Sequence, residues 1–210
     1  MIPDPLPRLE TRLPEQPVLV FVAGPNGSGK STFVAEYVER LGLPYVNADE
    51  IARMLRARAP TAPQDTIDRR AFAEAERLRA ALVEAGVAFC TETVFSDPKR
   101  AKLGLLAAAR ERGFAVFLIF ICLDGPALSI ARVRQRARQG GHDVPDVKLR
   151  ARFPRTLANM RAAIPLVDEA FLFDNSSFDA PYRVVAVYRE GRPVSHHPPL
   201  PPWTQGLPGL

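Results

Sequence analysis

Two cysteines in 210 residues, Cys90 and Cys122, are too few for a disulfide framework. Both sit in apolar runs and read as buried thiols of a chain kept in a reducing compartment. Long apolar runs are also missing. The longest, Phe114 to Leu123, has ten residues, about half of what a bilayer crossing requires. The first seventeen residues hold no apolar stretch of the kind a secretory signal needs, so a cytoplasmic location without membrane attachment is expected. No internal repeat is visible. What remains is ordinary globular composition, 47% apolar and 24% charged, which excludes a disordered chain and supplies one sizeable core.

Proline is plentiful but uneven. Eleven of the 21 lie in residues 1–17 or 193–210. The expected organisation is a proline-rich N-terminal tail at 1–16, one folded domain at 17–190 and a proline-rich C-terminal tail at 191–210, both tails extended and weakly ordered. Positive charge is uneven too. Residues 132–155 carry eight basic side chains against Asp143 and Asp146, a local +6 in a chain of net +5, so the remainder sums to −1. A single basic element on a near-neutral body suits a phosphate clamp as well as a nucleic-acid patch.

Between the tails the chain alternates. Gly42, Gly86 and Gly113 each close a helical stretch and precede an apolar strand. Apolar positions at Phe72, Ala75, Leu78, Leu82 and Ala85 mark one helix face. Residues 18–23 and 114–123 are nearly continuous apolar runs, as strands covered on both sides require. Strands are also expected at Val87 to Thr91 and Ala170 to Asp174, and a terminal hairpin from Tyr182 onward. The fold class is therefore α/β: a parallel sheet of about five strands flanked by helices, with a C-terminal β-hairpin.

The first strand runs into Gly24-Pro25-Asn26-Gly27-Ser28-Gly29-Lys30-Ser31, followed by a helix from Thr32. This is the full G-x-x-x-x-G-K-[ST] pattern in its strand–loop–helix setting, the signature of a P-loop NTPase. Backbone N–H groups and the helix N-terminus would cradle phosphates, Lys30 would reach the β- and γ-phosphates, and the Ser31 hydroxyl would ligate Mg²⁺. Gly24 to Thr32 form the expected nucleotide-binding set, joined by Asn175 in the Asp174-Asn175-Ser176 turn after the fifth strand. The glycine-rich signature and Asp-Glu strand end of transporter ATPases are absent, as is an Asn-Lys-x-Asp guanine motif, which favours ATP.

Ligands of such sheets bind beyond the carboxyl ends of the strands. Asp49, after Tyr45-Val46-Asn47-Ala48, suits a general base; as a residue opening the helix of Ile51 to Arg58 it also has the common role of an N-cap. Glu92 suits substrate or metal positioning, and Asp124, after an apolar strand, is the rival Mg²⁺ acid. Ser129 to Gln139 is an arginine-rich helix broken by Gly140-Gly141, with a second basic helix from about Asp146. Helix, glycine hinge and helix fit a mobile lid that brings arginines onto the transferred phosphate.

These residues resemble the zeta-toxin family of P-loop kinases in its short form. The likeness rests on Gly24 to Thr32, on Asn47 to Ala52, on Thr91-Glu92-Thr93-Val94-Phe95-Ser96, on Arg132 to Pro145 with its Gly-Gly-His-Asp-Val-Pro core, and on Asp174-Asn175-Ser176; it covers about residues 17–190. It implies ATP-dependent phosphorylation of a sugar hydroxyl on a small molecule, in well-known members that of UDP-N-acetylglucosamine. It implies Lys30 on phosphate, Ser31 with Glu92 at Mg²⁺, Asp49 as base, and Arg132 and Arg136 as lid arginines. Glu92, Thr93, Ser96 and His142 would face the acceptor, and an antitoxin would be the protein partner. The competing readings are a polynucleotide 5′-hydroxyl kinase or nucleic-acid-stimulated ATPase, suggested by the pI of 9.6, and a non-catalytic nucleotide-binding protein.

Overall fold

The computed structural model describes residues 15–139 and 144–210. The expected N-terminal tail up to residue 14, and His142 with its neighbours Gly140, Gly141 and Asp143, lie outside the described residues. The strands are β1 (Val18–Ala23), β2 (Tyr45–Asn47), β3 (Phe89–Thr93), β4 (Ala115–Cys122), β5 (Glu169–Asp174), β6 (Arg183–Arg189) and β7 (Arg192–His196). They form one sheet in the order β2-β3-β1-β4-β5-β6-β7. The first five are parallel, and β6 and β7 add antiparallel to the β5 edge. The expected parallel sheet and terminal hairpin are both present.

The helices are α1 (Lys30–Phe33), which winds on through a wider turn at Val34–Val38, then α2 (Ala48–Arg58), α3 (Gln64–Glu84), α4 (Ala101–Glu111), α5 (Pro126–Arg138) and α6 (Asp146–Ala163). Strand alternation splits β1 between two cores. Leu19, Phe21 and Ala23 pack with Ile51, Ala75, Leu106 and Met160 of α2, α3, α4 and α6. Val18, Val20 and Val22 pack with Phe33, Val34 and Val38 on the other face. Because β1 and β4 are buried along their whole length, their apolar runs show no alternation in sequence.

Two boundaries differ from expectation, and both matter for the site. The third strand begins at Phe89 rather than Val87. Gly86 turns left-handed at φ 65°, and the Val87 N–H donates back to the Leu82 carbonyl, so Val87 belongs to the cap of α3. The strand also runs on to Thr93, so Glu92 lies within β3, in register with Val22 of β1 and Asn47 of β2, rather than beyond its end. The helix expected from Ile51 begins at Ala48, and its cap is Asn47, whose Oδ1 accepts from the Asp49 N–H at 2.8 Å. Asp49 sits in the first turn with its carboxylate not required for capping.

The segment after β7 is not the loose tail its prolines suggest. Trp203 and Leu207 are buried in the main core, with the Trp203 ring 6.1 Å from that of Phe120. Tyr188 donates its hydroxyl to the Pro208 carbonyl at 2.9 Å, and Arg161 donates to the Gln205 carbonyl at 2.6 Å. One indole and one leucine supply the apolar area that holds the segment, while its prolines lessen the entropy lost on docking.

Candidate active site

The carboxyl end of β1 delivers the glycine-rich loop into α1. At Gly24, with φ 149°, a Cβ would meet the Ile121 carbonyl oxygen of β4 at 2.0 Å, so only glycine fits. Gly29, with φ 90°, caps α1, and a Cβ there would meet Asn175 Nδ2 at 2.6 Å. The loop is held from behind. Asn175 donates Nδ2 to the Ser28 carbonyl (2.9 Å) and accepts from the Tyr182 N–H (3.2 Å), while the Tyr182 hydroxyl donates to the Gly29 carbonyl (2.9 Å). Ser129 of α5 holds the Asn26 carbonyl at 2.7 Å. Asn175 therefore shapes the loop. Each end of its amide makes one of these bonds, so it braces the loop from behind.

A cavity of about 800 Å³ opens over this loop. Asn26, Gly27, Gly29, Lys30, Ser31 and Thr32 face it, whereas Gly24, Pro25 and Ser28 are turned inward and set the loop's shape. Lys30 is buried and donates Nζ to the Pro25 carbonyl at 2.9 Å. Burial lowers its pKa, and the charges of Glu92 and then Asp49 push it back up. The lysine is thus a desolvated group whose charge the two carboxylates favour, at the floor of the cavity over the phosphate loop.

Glu92 is buried, and its two oxygens are divided. Oε1 accepts from the Ser31 hydroxyl at 3.0 Å; Oε2 accepts from the Tyr45 hydroxyl at 2.6 Å and from Asn47 Nδ2 at 3.2 Å. Asn47 also donates to the Tyr45 oxygen at 2.8 Å. Burial and the neighbouring Glu92 charge drive the Tyr45 pKa far upward, so its phenol stays a donor. Beneath them the buried Arg79 of α3 donates to the Thr91 hydroxyl at 2.6 Å and to the Glu92 carbonyl at 3.1 Å, which pins the strand carrying the glutamate. Among the described residues no cluster of three acids, histidines or cysteines could hold a metal alone. The Ser31–Glu92 pair of hard oxygens beside the phosphate loop suits a Mg²⁺ shared with phosphate. Asp124 is exposed and is not among the residues lining this cavity, so geometry favours Glu92 of the two candidate acids.

Asp49 is exposed and faces the same cavity, as do Thr93, Ser96, Arg132 and Arg136. The Thr93 oxygen accepts from the Phe95 N–H at 3.2 Å. Phe95 holds a left-handed φ of 60° while fully buried. That strain is of order 1–3 kcal/mol. Asn159 of α6, donating to the Phe95 and Asp97 carbonyls at 2.9 and 3.1 Å, fastens this wall of the cavity. Arg132 donates to the Ser176 carbonyl (3.3 Å) and stacks on the exposed Phe178 ring (5.2 Å), but its Nε has no hydrogen-bond partner among the described residues. A buried guanidinium donor left over at the mouth of a phosphate loop fits an oxyanion ligand.

Sequence reasoning missed Tyr45, Asn47, Arg79, Arg152 and Arg155 as site residues. Tyr45 and Asn47 flank Val46, so period-two alternation puts them on one face of β2. Arg79 follows Ala71 and Ala75 on the buried face of α3, and a charge at a core position is a signal of its own.

Comparison with known proteins agrees with this fold. A chain of the AvrRxo1-ORF1:AvrRxo1-ORF2 complex with sulphate ions superposes with a TM-score of 0.68 at 20% identity, over 87% of this chain and 61% of that one. This chain thus spans about three fifths of its length. A chain of the PezAT chromosomal toxin–antitoxin system of Streptococcus pneumoniae gives 0.58 at 16% identity, over 87% and 79%. An uncharacterized protein of Haemophilus influenzae is 25% identical over 64% of this chain and 91% of its own length. The likeness to zeta toxins drawn from the motifs holds at the level of the fold. The AAA domain family model matches residues 19–159, two thirds of the sequence, and the chain belongs to that family of P-loop proteins.

Proposed function

We propose that the protein is an ATP-dependent phosphotransferase acting on a hydroxyl of a small molecule, with a nucleotide sugar such as UDP-N-acetylglucosamine as the acceptor. The observation that carries this reading is the shared wall. Asp49, released from capping, faces one cavity with Lys30, the Ser31–Glu92 pair and two arginines of α5. In the transfer, the acceptor oxygen bonds to the γ-phosphorus, the bond from that phosphorus to the ADP oxygen breaks, and the hydroxyl proton passes to Asp49. Lys30, Arg132 and Arg136 offset the negative charge spread over the moving phosphoryl group. Mg²⁺, held by Ser31 and Glu92, would supply charge neutralisation at the phosphates.

The arginines of α5 line the same cavity as the phosphate loop, which favours a phosphate clamp over a polynucleotide patch. The PezAT and AvrRxo1 pairs support the further reading that an antitoxin partners this chain. Among the described residues no helix is long and apolar enough to cross a membrane, in keeping with a cytoplasmic enzyme. The test incubates the purified full chain with Mg²⁺, ATP and UDP-N-acetylglucosamine and looks for a monophosphorylated product by mass spectrometry. Its formation is expected; ATP turnover on other alcohols with none on this one would remove the nucleotide sugar.

Tyr45→Phe gives a second expected result. It removes one of two donors to Glu92 Oε2. A hydrogen bond to a charged group contributes about 1.5–3 kcal/mol, so the Mg²⁺ concentration for half-maximal rate should rise roughly tenfold. Calorimetry of ADP binding with and without Mg²⁺ checks it independently: only the Mg²⁺-dependent part of the affinity should fall.

A further inference from the structure

We propose that Arg152 and Arg155 of α6 seat a phosphate or diphosphate group carried by the acceptor. The inference rests on the kinase reading and adds to it a second anion site, distinct from the phosphate loop. Three residues apart on one helix, the two side chains share a face, and both line the cavity with Asp49 and the Thr93–Asp97 wall. Arg152 is half-buried, and its pKa is lowered by burial and then by the charge of Arg155, with Asp49 opposing. Two like charges, one half-buried and one exposed, are thus held together on one wall of the cavity.

Several arginines near this site are matched. Arg134 pairs with Asp146, Arg79 with Glu76 and Thr91, and Arg183 with Asp174. Neither Arg152 nor Arg155 has a hydrogen bond or ion pair among the described residues. The donor phosphates already have Lys30, Arg132 and Arg136, which lie on α1 and α5. A separate helix supplies the second pair, near enough to Asp49 for its charge to act on Arg152. An oxyanion there removes the mutual repulsion. Phosphate suits it better than a single carboxylate, because two planar forks offer more parallel N–H donors than one carboxylate can accept.

The experiment uses the full chain loaded with Mg²⁺ and a non-hydrolysable ATP analogue, which fills the phosphate loop. Inorganic pyrophosphate is then titrated in by calorimetry. Arg152→Gln/Arg155→Gln should bind the analogue within about twofold of wild type, while pyrophosphate affinity of the loaded protein falls at least about tenfold. Arg152→Lys/Arg155→Lys, which keeps the charge and loses the forks, should retain the fold and show an intermediate loss. Malonate binding as tightly as pyrophosphate would overturn the assignment to phosphate. So would unchanged pyrophosphate affinity in the glutamine variant, or a loss confined to the ATP analogue, which would give these arginines to the donor. A wild-type protein that binds no analogue sinks the kinase reading itself, a result separable from all of these.

Discussion

Asp49→Asn should lower kcat by at least about 100-fold while leaving nucleotide affinity within a few fold. The substitution is nearly isosteric. It touches no capping bond, because Asn47 and the Asp49 backbone N–H make that contact without the carboxylate. It removes one of the two negative charges that raise the Lys30 pKa, but Glu92, the larger contributor, remains. The loss therefore falls on accepting the alcohol proton. Single-turnover rates with saturating Mg²⁺–ATP, set beside calorimetric binding of the analogue, separate the two effects. Equal rates would remove Asp49 from the base position; a matching loss of nucleotide affinity would make it a binding residue.

Gly24→Ala should be the most damaging single methyl. The added carbon lies 2.0 Å from a backbone oxygen of β4, at a φ that L residues rarely adopt. Neither strand can yield, because β1 and β4 are paired along six residues and buried on both faces. A stability loss on the order of 3 kcal/mol or more is expected. For a domain of this size that corresponds to a Tm lower by roughly 6–12 °C. Gly42→Ala is the control. It shares a left-handed φ of 62°, yet a Cβ there meets nothing within 4 Å. Its cost should stay near about 1 kcal/mol, so the difference between the two variants isolates the collision from the backbone preference.

Much of this fold was legible because its signals are local. A buried parallel strand writes itself as an unbroken apolar run, as in Val18–Ala23 and Ala115–Cys122, and the phosphate loop is a contiguous string. Boundaries were less legible where caps decide them. Val87 looks like a strand residue but completes the turn around Gly86, and Asn47 rather than Asp49 caps α2. The division of Glu92 between Ser31 and Tyr45 could not be read, because it depends on β2 pairing with β3 across forty-five residues of chain. The bracing bonds of Asn175 were illegible for a related reason. Its neighbours in sequence say turn, while its partners, Ser28 and Tyr182, come from elsewhere. The C-terminal prolines misled in the opposite direction, since composition says nothing of the one indole that anchors them.

That indole has a practical consequence. Trp203 is the sole tryptophan of the chain, and it stands against Phe120 in the same strand whose Ile121 carbonyl backs Gly24. Its fluorescence therefore reports, without any label, on the strand that supports the nucleotide end of the sheet. A red shift in emission would announce release of the C-terminal strap and loosening of that strand in one optical signal.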